Sequence, residues 1–564
     1  MNPLSEPLWQ EALGLSRFLA ALFNARPDLA DDIRATWHVA LTEDMLIGAL
    51  RPPPASETEL ATRLRRLRQR ALAHIALRDL CGRASLAEVV ESMTMLADVT
   101  TNQALAFHHR QLAAQFGEPL DAWGAPQRLL VIGMGKLGGR ELNVSSDVDY
   151  IFIYPEDGET AGPRRIENLD FFTRLGKRLI AALGDRTGDG QVFRVDMRLR
   201  PNGDSGPLVC SVDALENYFI TQGREWERYA WIKARVMNTG ENEQPDGMAA
   251  LKRVSRPFVF RKYLDFGAIN AMRDLHAQIR REVARKDMAD HVKLGPGGIR
   301  EIEFIAQVFQ LIRGGRDPAL QVRPTLSVLK LLAERRLIPA ATESELREAY
   351  IFLRRLEHRL QYVEDQQTHR LPDDPGDRGR IAHSLGCSDW SALMAVLDRH
   401  RDAVSRHFEQ VFSDPGEGDH ALAGVWLGQS EADTMTETLA ALGYGQPRGV
   451  IERLDELRQS TRYRQLPAQN RERLDAVGPR LLEAAARSAD PDTALNRGLA
   501  FLETISRRGA YLALLQQYPD ALRRVADIIG ASSWAAYYLN RHPILLDELQ
   551  DPRLMDVTRD WMGF

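Results

Sequence analysis

The amino-acid sequence predicts a mostly helical α+β fold in which one sheet-bearing segment is embedded between helical domains. Three observations carry this expectation. Over most of the chain, apolar residues recur at three- and four-residue steps with Arg, Gln and Glu between them, the periodicity of amphipathic helices. Only residues 128–237 break the pattern, alternating short Val- and Ile-rich runs with helical stretches. The breaks fall on Gly- and Pro-bearing segments, among them "RPPPASETEL" at 51–60 and "FGEPLDAWGAPQ" at 116–127.

Taken in order, residues 9–22, 57–80 and 85–116 read as helices, the second opened by a capping signal, Ser56 with Glu59 three positions on. Runs 129–132 and 148–154 read as short strands, and 167–183 as a helix. "QVFRVDMRLRP" at 191–201 alternates as a strand, with Val195, Met197 and Leu199 on one side and Arg194, Asp196, Arg198 and Arg200 on the other. Residues 213–237 return to helix; "LGPGGIREIEF" at 294–304 is a glycine turn opening a helix, and 350–365 is a long amphipathic helix. Loops are expected at 371–380 and 413–420, followed by a helical block, 421–564, whose last residues carry no closing element. The expected domains are 1–125, 126–240, 241–415 and 416–564.

The bulk numbers narrow the class. A chain of 564 residues exceeds a single core, and 44% hydrophobic with 27% charged residues is a globular balance. A net charge of -5 argues against a chain-wide nucleic-acid footprint. Cys81, Cys210 and Cys387 are too far apart for a disulfide framework or a CxxC zinc site, and they suit a reducing cytoplasm. The opening "MNPLSEPLWQEAL" has no signal-peptide run, and no stretch approaches ~18 apolar residues, so a cytoplasmic chain without membrane or nucleic-acid partners is expected.

"VIGMGKLGGRELNVSSDVDYIFIY" at 131–154 carries two signatures. Gly133, Gly135 and Gly138 spell a dinucleotide-binding G-x-G-x-x-G. That reading needs a helix of about ten residues after the glycines and an acid at the end of the next strand. Here only "GRELNVSS" separates Gly138 from Asp147, and both Asp147 and Asp149 stand at the start of the next strand. A P-loop fails as well, because Lys136 is followed by Leu137 rather than Ser or Thr.

The Asp147-Val-Asp149 pair reads better. On a strand, residues two apart share a face, so the two carboxylates emerge together and repel unless a cation lies between them. Hard divalent ions such as Mg²⁺ prefer such oxygens, and Asp196 from a neighbouring strand would supply a third for a two-metal phosphoryl-transfer site. Arg198 and Arg200 on the face of Asp196, with Ser145, Ser146 and the glycine turn, would offer donors to phosphate oxygens.

"GMGKLGGRELNVSSDVDYIF" and "VFRVDMRLRPNGDSGPLV" resemble the two signature segments of the bifunctional glutamine synthetase adenylyltransferase/adenylyl-removing enzymes, members of the DNA polymerase beta-like nucleotidyltransferase superfamily. "KLGPGGIREIEFIAQVFQL" at 293–311 and "RRLEHRLQYVEDQQTHRLP" at 354–372 resemble helical segments of the same family. The resemblance implies an adenylyl-removing half plus central region, without the adenylyltransferase half. It implies Mg²⁺-dependent phosphorolysis of AMP-tyrosine in glutamine synthetase, releasing ADP and regulating nitrogen assimilation. Asp147, Asp149 and Asp196 match the catalytic metal-binding acids, and Gly138, Gly139 and Ser146 the phosphate-side turn. The PII signal protein, glutamine and ATP are further implied partners.

Lys293 and Arg300, flanking the 295–298 turn, are read either as reaching over this site or as a charged helix start. His358 and His369 show no partner carboxylate pattern, and Trp226 with Tyr229 in "EWERYAW" reads as core packing. Two alternatives stay open: adenylyl transfer from ATP through the same site, and a non-catalytic module sensing PII and glutamine through 240–564.

Overall fold

The computed structural model describes residues 5–261, 290–412, 420–543 and 545–546. The chain divides into two compact units, 1–262 with 272–411, and 263–271 with 412–564. The expected loop at 413–420, save His420, and most of the tail 541–564 lie outside the described residues.

In the first unit the helices begin where the sequence places side-chain caps. Ser56 Oγ accepts the backbone N–H of Glu59 at 3.2 Å, the Glu59 carboxylate accepts that of Ala55 at 2.8 Å, and helix Glu57–Leu80 follows. Ser85 caps Leu86–Phe116 in the same way, and that helix is buried around most of its circumference. The helix expected over 9–22 is two, Glu6–Leu15 and Arg17–Ala25. Ser16 ends the first and caps the second, accepting from Leu19 N–H at 3.1 Å while its hydroxyl donates to the carbonyl of Tyr362 at 2.6 Å.

The sheet has five strands: β1 (Leu130–Gly133), β2 (Val148–Tyr154), β3 (Val195–Asp196), β4 (Val209–Ser211) and β5 (Arg235–Val236). β2 lies beside β1, and β5 flanks β1 on its other side. β1 runs antiparallel to both neighbours, whereas β3 and β4 pair parallel with β2, β3 near its start and β4 near its end. The strands flanking the glycine turn are therefore antiparallel, which a dinucleotide-binding βαβ unit cannot be. Along β2 the period of two sends Val148, Tyr150, Phe152 and Tyr154 into a core shared with Phe171 and Phe172 of helix Asn168–Gly184. Asp149 takes the other face.

The strand expected over 191–201 is only the two residues of β3. The backbone N–H of Arg198 donates to the Asp196 carboxylate at 2.8 Å and that of Arg200 to the Met197 carbonyl at 3.2 Å, so the chain turns immediately after Asp196. An Asp side chain capturing the amide two residues on is a local competitor of the ladder, and here it wins. The stretch 213–237 likewise resolves into helices Val212–Thr221 and Glu225–Trp231 followed by β5. The glycine turn at 295–298 opens Ile299–Arg313, and Ala340–Tyr362 is the long helix expected around 350–365.

Among the described residues the second unit is helical, from Ala423–Leu427 to Ser533–Arg541. Trp426 anchors it: the ring is 1% exposed, its indole N–H donates to Asp475 at 2.9 Å, and it lies flat against the backbone of Gly478. No described helix of either unit is long and apolar enough to cross a membrane.

Candidate active site

The glycine turn and the start of β2 form the floor of a cavity of about 600 Å³. Gly135 has φ +53, a left-handed conformation that glycine adopts without strain. A Cβ at Gly135 would sit 3.4 Å from Asp149 Oδ2, so the turn is packed onto that carboxylate. Gly138 is a glycine for another reason: a Cβ there would lie 1.9 Å from the carbonyl oxygen of Lys233.

Asp149 and Asp196 are direct register partners on parallel strands, and Asp147 stands two residues before Asp149. Burial, and then the charge of Asp196, push the Asp149 carboxyl up to about 6. Among the described residues the Asp149 side chain accepts no hydrogen bond, although the charges of Lys293 and Arg198 act on it. Asp196 is held below the usual carboxylate range by Arg198, whose guanidinium reaches it at 2.5 Å. Asp147 accepts from Arg194 Nε at 2.5 Å.

Cations converge from three other segments. Lys136, one residue into the turn, bonds both oxygens of Glu357 at 2.9 and 3.1 Å. Burial pulls the Lys136 ammonium down to about 7. Glu357 is wholly buried, yet it is held well below the usual range because Lys136, His369 and Arg354 outweigh its burial. A single buried carboxylate thus serves Lys136, His369 and Arg354 together. Lys293, before the 295–298 turn, and Arg300, in the first turn of Ile299–Arg313, complete the basic rim. Glu303 and Gln307 follow Arg300 on one face of that helix. Burial opposes ionisation of Glu303, but the charges of Lys233, Lys136 and Lys293 bring its carboxyl down to about 2. Beside these polar groups, Leu199, Trp226, Tyr229 and Ala230 supply an apolar wall to the same cavity.

Residues 8–250 match the family described as glutamate-ammonia ligase adenylyltransferase, and 273–412 match that described as GlnD PII-uridylyltransferase. Over 560 residues, 99% of this chain, the sequence is 57% identical to a bifunctional glutamine synthetase adenylyltransferase/adenylyl-removing enzyme of Aromatoleum aromaticum. A Chromobacterium violaceum enzyme of the same name is 54% identical over 97% of this chain. This chain is similar to these relatives over nearly its whole length. It spans 59% and 60% of the length of those two relatives.

The structure sorts the residues singled out in the sequence. Asp147, Asp149, Asp196, Ser146 and Arg198 line the cavity, as do Lys293 and Arg300. Four others do not. Gly138 and Gly139 pack against Lys233 and Glu141 behind the turn. Ser145 is buried, its N–H donating to Gln361 at 3.1 Å and its Oγ without a hydrogen bond among the described residues. Arg200, expected beside Arg198, is turned away by the break after Asp196 and donates to the Met197 carbonyl at 2.8 Å and to Asp204 at 3.3 Å.

Two further expectations are corrected. Trp226 and Tyr229 are not simply core: both line the cavity, and Trp226 is 39% exposed. Both histidines have a carboxylate neighbour: His369 Nδ1 lies 2.7 Å from Glu357, and the fully buried His358 has Nδ1 3.9 Å from Asp79, forms no hydrogen bond among the described residues and is driven down to about 3. Lys136 entered the sequence reading only as a failed P-loop lysine. The face formed by Arg300, Glu303 and Gln307 was legible as polar residues at steps of three and four in a helix that also carries Glu301, Gln310 and Arg313.

The acids suit a hard divalent cation: they are oxygen donors, and Asp149 and Asp196 crowd negative charge that such an ion would relieve. Among the described residues, no three acidic, imidazole or thiol groups meet at one point, since Asp147 closes on Arg194 and Asp196 on Arg198.

Proposed function

We propose that this chain is a nucleotidyltransferase that removes AMP from adenylylated tyrosine of glutamine synthetase by phosphorolysis, in the cytoplasm, on a DNA polymerase beta-like sheet. The observation that carries it is that Asp147, Asp149 and Asp196 line one cavity together with Lys293 and Arg300. The relatives' names, which join both directions of adenylyl exchange on glutamine synthetase, support it.

Phosphate, entering as HPO₄²⁻, attacks the phosphorus of the AMP–tyrosine link. A P–O bond forms to the incoming phosphate, the P–O bond to the tyrosine breaks, and the phosphate proton ends on the tyrosine oxygen, giving ADP and free tyrosine. Lys293, which forms no ion pair of its own among the described residues, and Arg300 bind the oxygens of the incoming phosphate. Arg198 neutralises charge at the phosphorus while it orients Asp196. Glu357 holds Lys136 against the glycine turn and so fixes the position of Asp149. Asp149 and Asp196, with Asp147 as a further donor, would hold Mg²⁺, which would supply charge neutralisation on the phosphoryl oxygens. Loading requires Asp147 or Asp196 to leave its arginine.

The test is to incubate the chain with adenylylated glutamine synthetase, Mg²⁺ and inorganic phosphate, following ADP and the loss of AMP mass from the target. Phosphate-dependent ADP that disappears in Asp149→Asn supports the reading. AMP transfer from ATP with no phosphorolysis under any condition would replace it with the opposite direction.

A further inference from the structure

The apolar wall and Gln307 are unused by the phosphate chemistry just described. Trp226 sits in helix Glu225–Trp231, and that helix is firmly held. Glu227 accepts from the Arg224 N–H at 2.9 Å and from the Tyr218 hydroxyl at 2.6 Å, while Arg228 donates to the carbonyls of Phe258 and Val259 at 3.0 and 3.1 Å. Tyr229 backs the wall, its ring 5.0 Å from that of Phe304. An indole left 39% exposed on so rigid a support is a platform for a flat π-system.

Gln307 adds direction. Its side chain is 4% exposed and lines the same cavity. Its Nε2 donates to the Tyr229 carbonyl at 3.4 Å, and because a carbonyl can only accept, the amide orientation is determined. Oε1 is therefore the free end, and among the described residues it has no donor. Gln307 lines the cavity, so a ligand N–H can take the place of solvent at this acceptor.

We propose that Trp226 and Gln307 form the nucleobase subsite, Trp226 stacking on adenine and Gln307 Oε1 accepting from its exocyclic amino group. The inference rests on the nucleotidyl reading of the site and deepens it. The competing aromatic, the tyrosine of the protein substrate, carries phosphorus on its oxygen and has no ring donor to offer Gln307. Guanine presents a carbonyl where adenine presents its amino group, which sets acceptor against acceptor. The site should therefore read adenine over guanine.

The experiment is calorimetric titration of the 564-residue chain with ADP, GDP and inorganic phosphate in Mg²⁺ buffer, alongside Trp226→Ala, Trp226→Phe and Gln307→Met. The expected result is about tenfold or greater loss of ADP affinity in Trp226→Ala, substantial recovery in Trp226→Phe, and unchanged phosphate affinity. Gln307→Met should erase most of the preference for ADP over GDP, a change of about fivefold or more. ADP affinity within about twofold of the unaltered chain in Trp226→Ala overturns the subsite and leaves the phosphorolytic reading standing. So does a Trp226→Ala effect confined to the KM for adenylylated glutamine synthetase, which would assign the wall to the target tyrosine. Failure of the unaltered chain to bind ADP at all overturns both readings.

Discussion

Replacing Asp149 with Asn should abolish phosphorolysis while making the metal-free protein more stable. The Asp149 carboxyl is raised from an ordinary value of 3.8 to about 6, chiefly by burial and then by the facing charge of Asp196. A group whose folded value lies above its unfolded one favours the folded state while protonated. That favour is complete below pH 3.8 and lost as the pH rises through about 6. Above that, the ionised carboxylate costs the fold about 3 kcal/mol, a cost that Asn, neutral and nearly isosteric, does not incur. Asp149→Asn should thus gain up to about 3 kcal/mol at pH 7.5 without divalent ions, falling to about half at pH 5. The assay is calorimetric unfolding of both proteins at the two pH values, with and without Mg²⁺. Mg²⁺ should raise the melting temperature of the unaltered protein and leave that of the variant nearly unmoved. A variant less stable than the parent at pH 7.5 in chelator would refute the argument, because Asp149 would then be held by compensating partners. A Mg²⁺ shift of equal size in both would remove it from the ion site.

Other perturbations separate packing from chemistry. Glu357→Gln leaves Lys136 and Arg354 buried without their carboxylate and should cost about 3–5 kcal/mol in denaturant unfolding, with phosphorolysis falling in step. Gly138→Ala drives a Cβ into the Lys233 carbonyl and should cost several kcal/mol or displace the turn. Gly14→Ala, in a helix with open space around it, should instead stabilise by about 0.5–1 kcal/mol in the same assay. Ser56→Ala removes a helix cap and should cost about 1 kcal/mol with turnover unchanged.

Much of the fold was legible because its signals are local. The cap at Ser56, the helices over 57–80 and 85–116, and strands β1 and β2 rest on hydrophobic period and on side chains that bond their own neighbours, within a few residues. The shared face of Asp147 and Asp149 follows from the pleat alone. Legibility failed where a local competitor stood hidden inside a periodic pattern. Alternation across 191–201 implies a long strand, but the Asp196 carboxylate captures the Arg198 amide and ends it, carrying Arg200 away from the cavity. Ser16 splits a continuous apolar stripe for the same kind of reason.

The sequence by itself determined that the chain is helical around one small sheet, that its glycine turn serves no dinucleotide, and that paired acids open the second strand. Tertiary structure alone decided what surrounds those acids. The strand register sets Asp196 opposite Asp149, and packing of Ala340–Tyr362 brings Glu357 to Lys136 across 221 residues of chain. Trp226 and Gln307 stand on helices far apart in sequence, and only their convergence on one cavity separates a platform and an acceptor from core residues. The physical reason is range. Hydrophobic periodicity and capping act within a turn or a strand, whereas desolvation and charge pairing depend on which distant surfaces exclude water together.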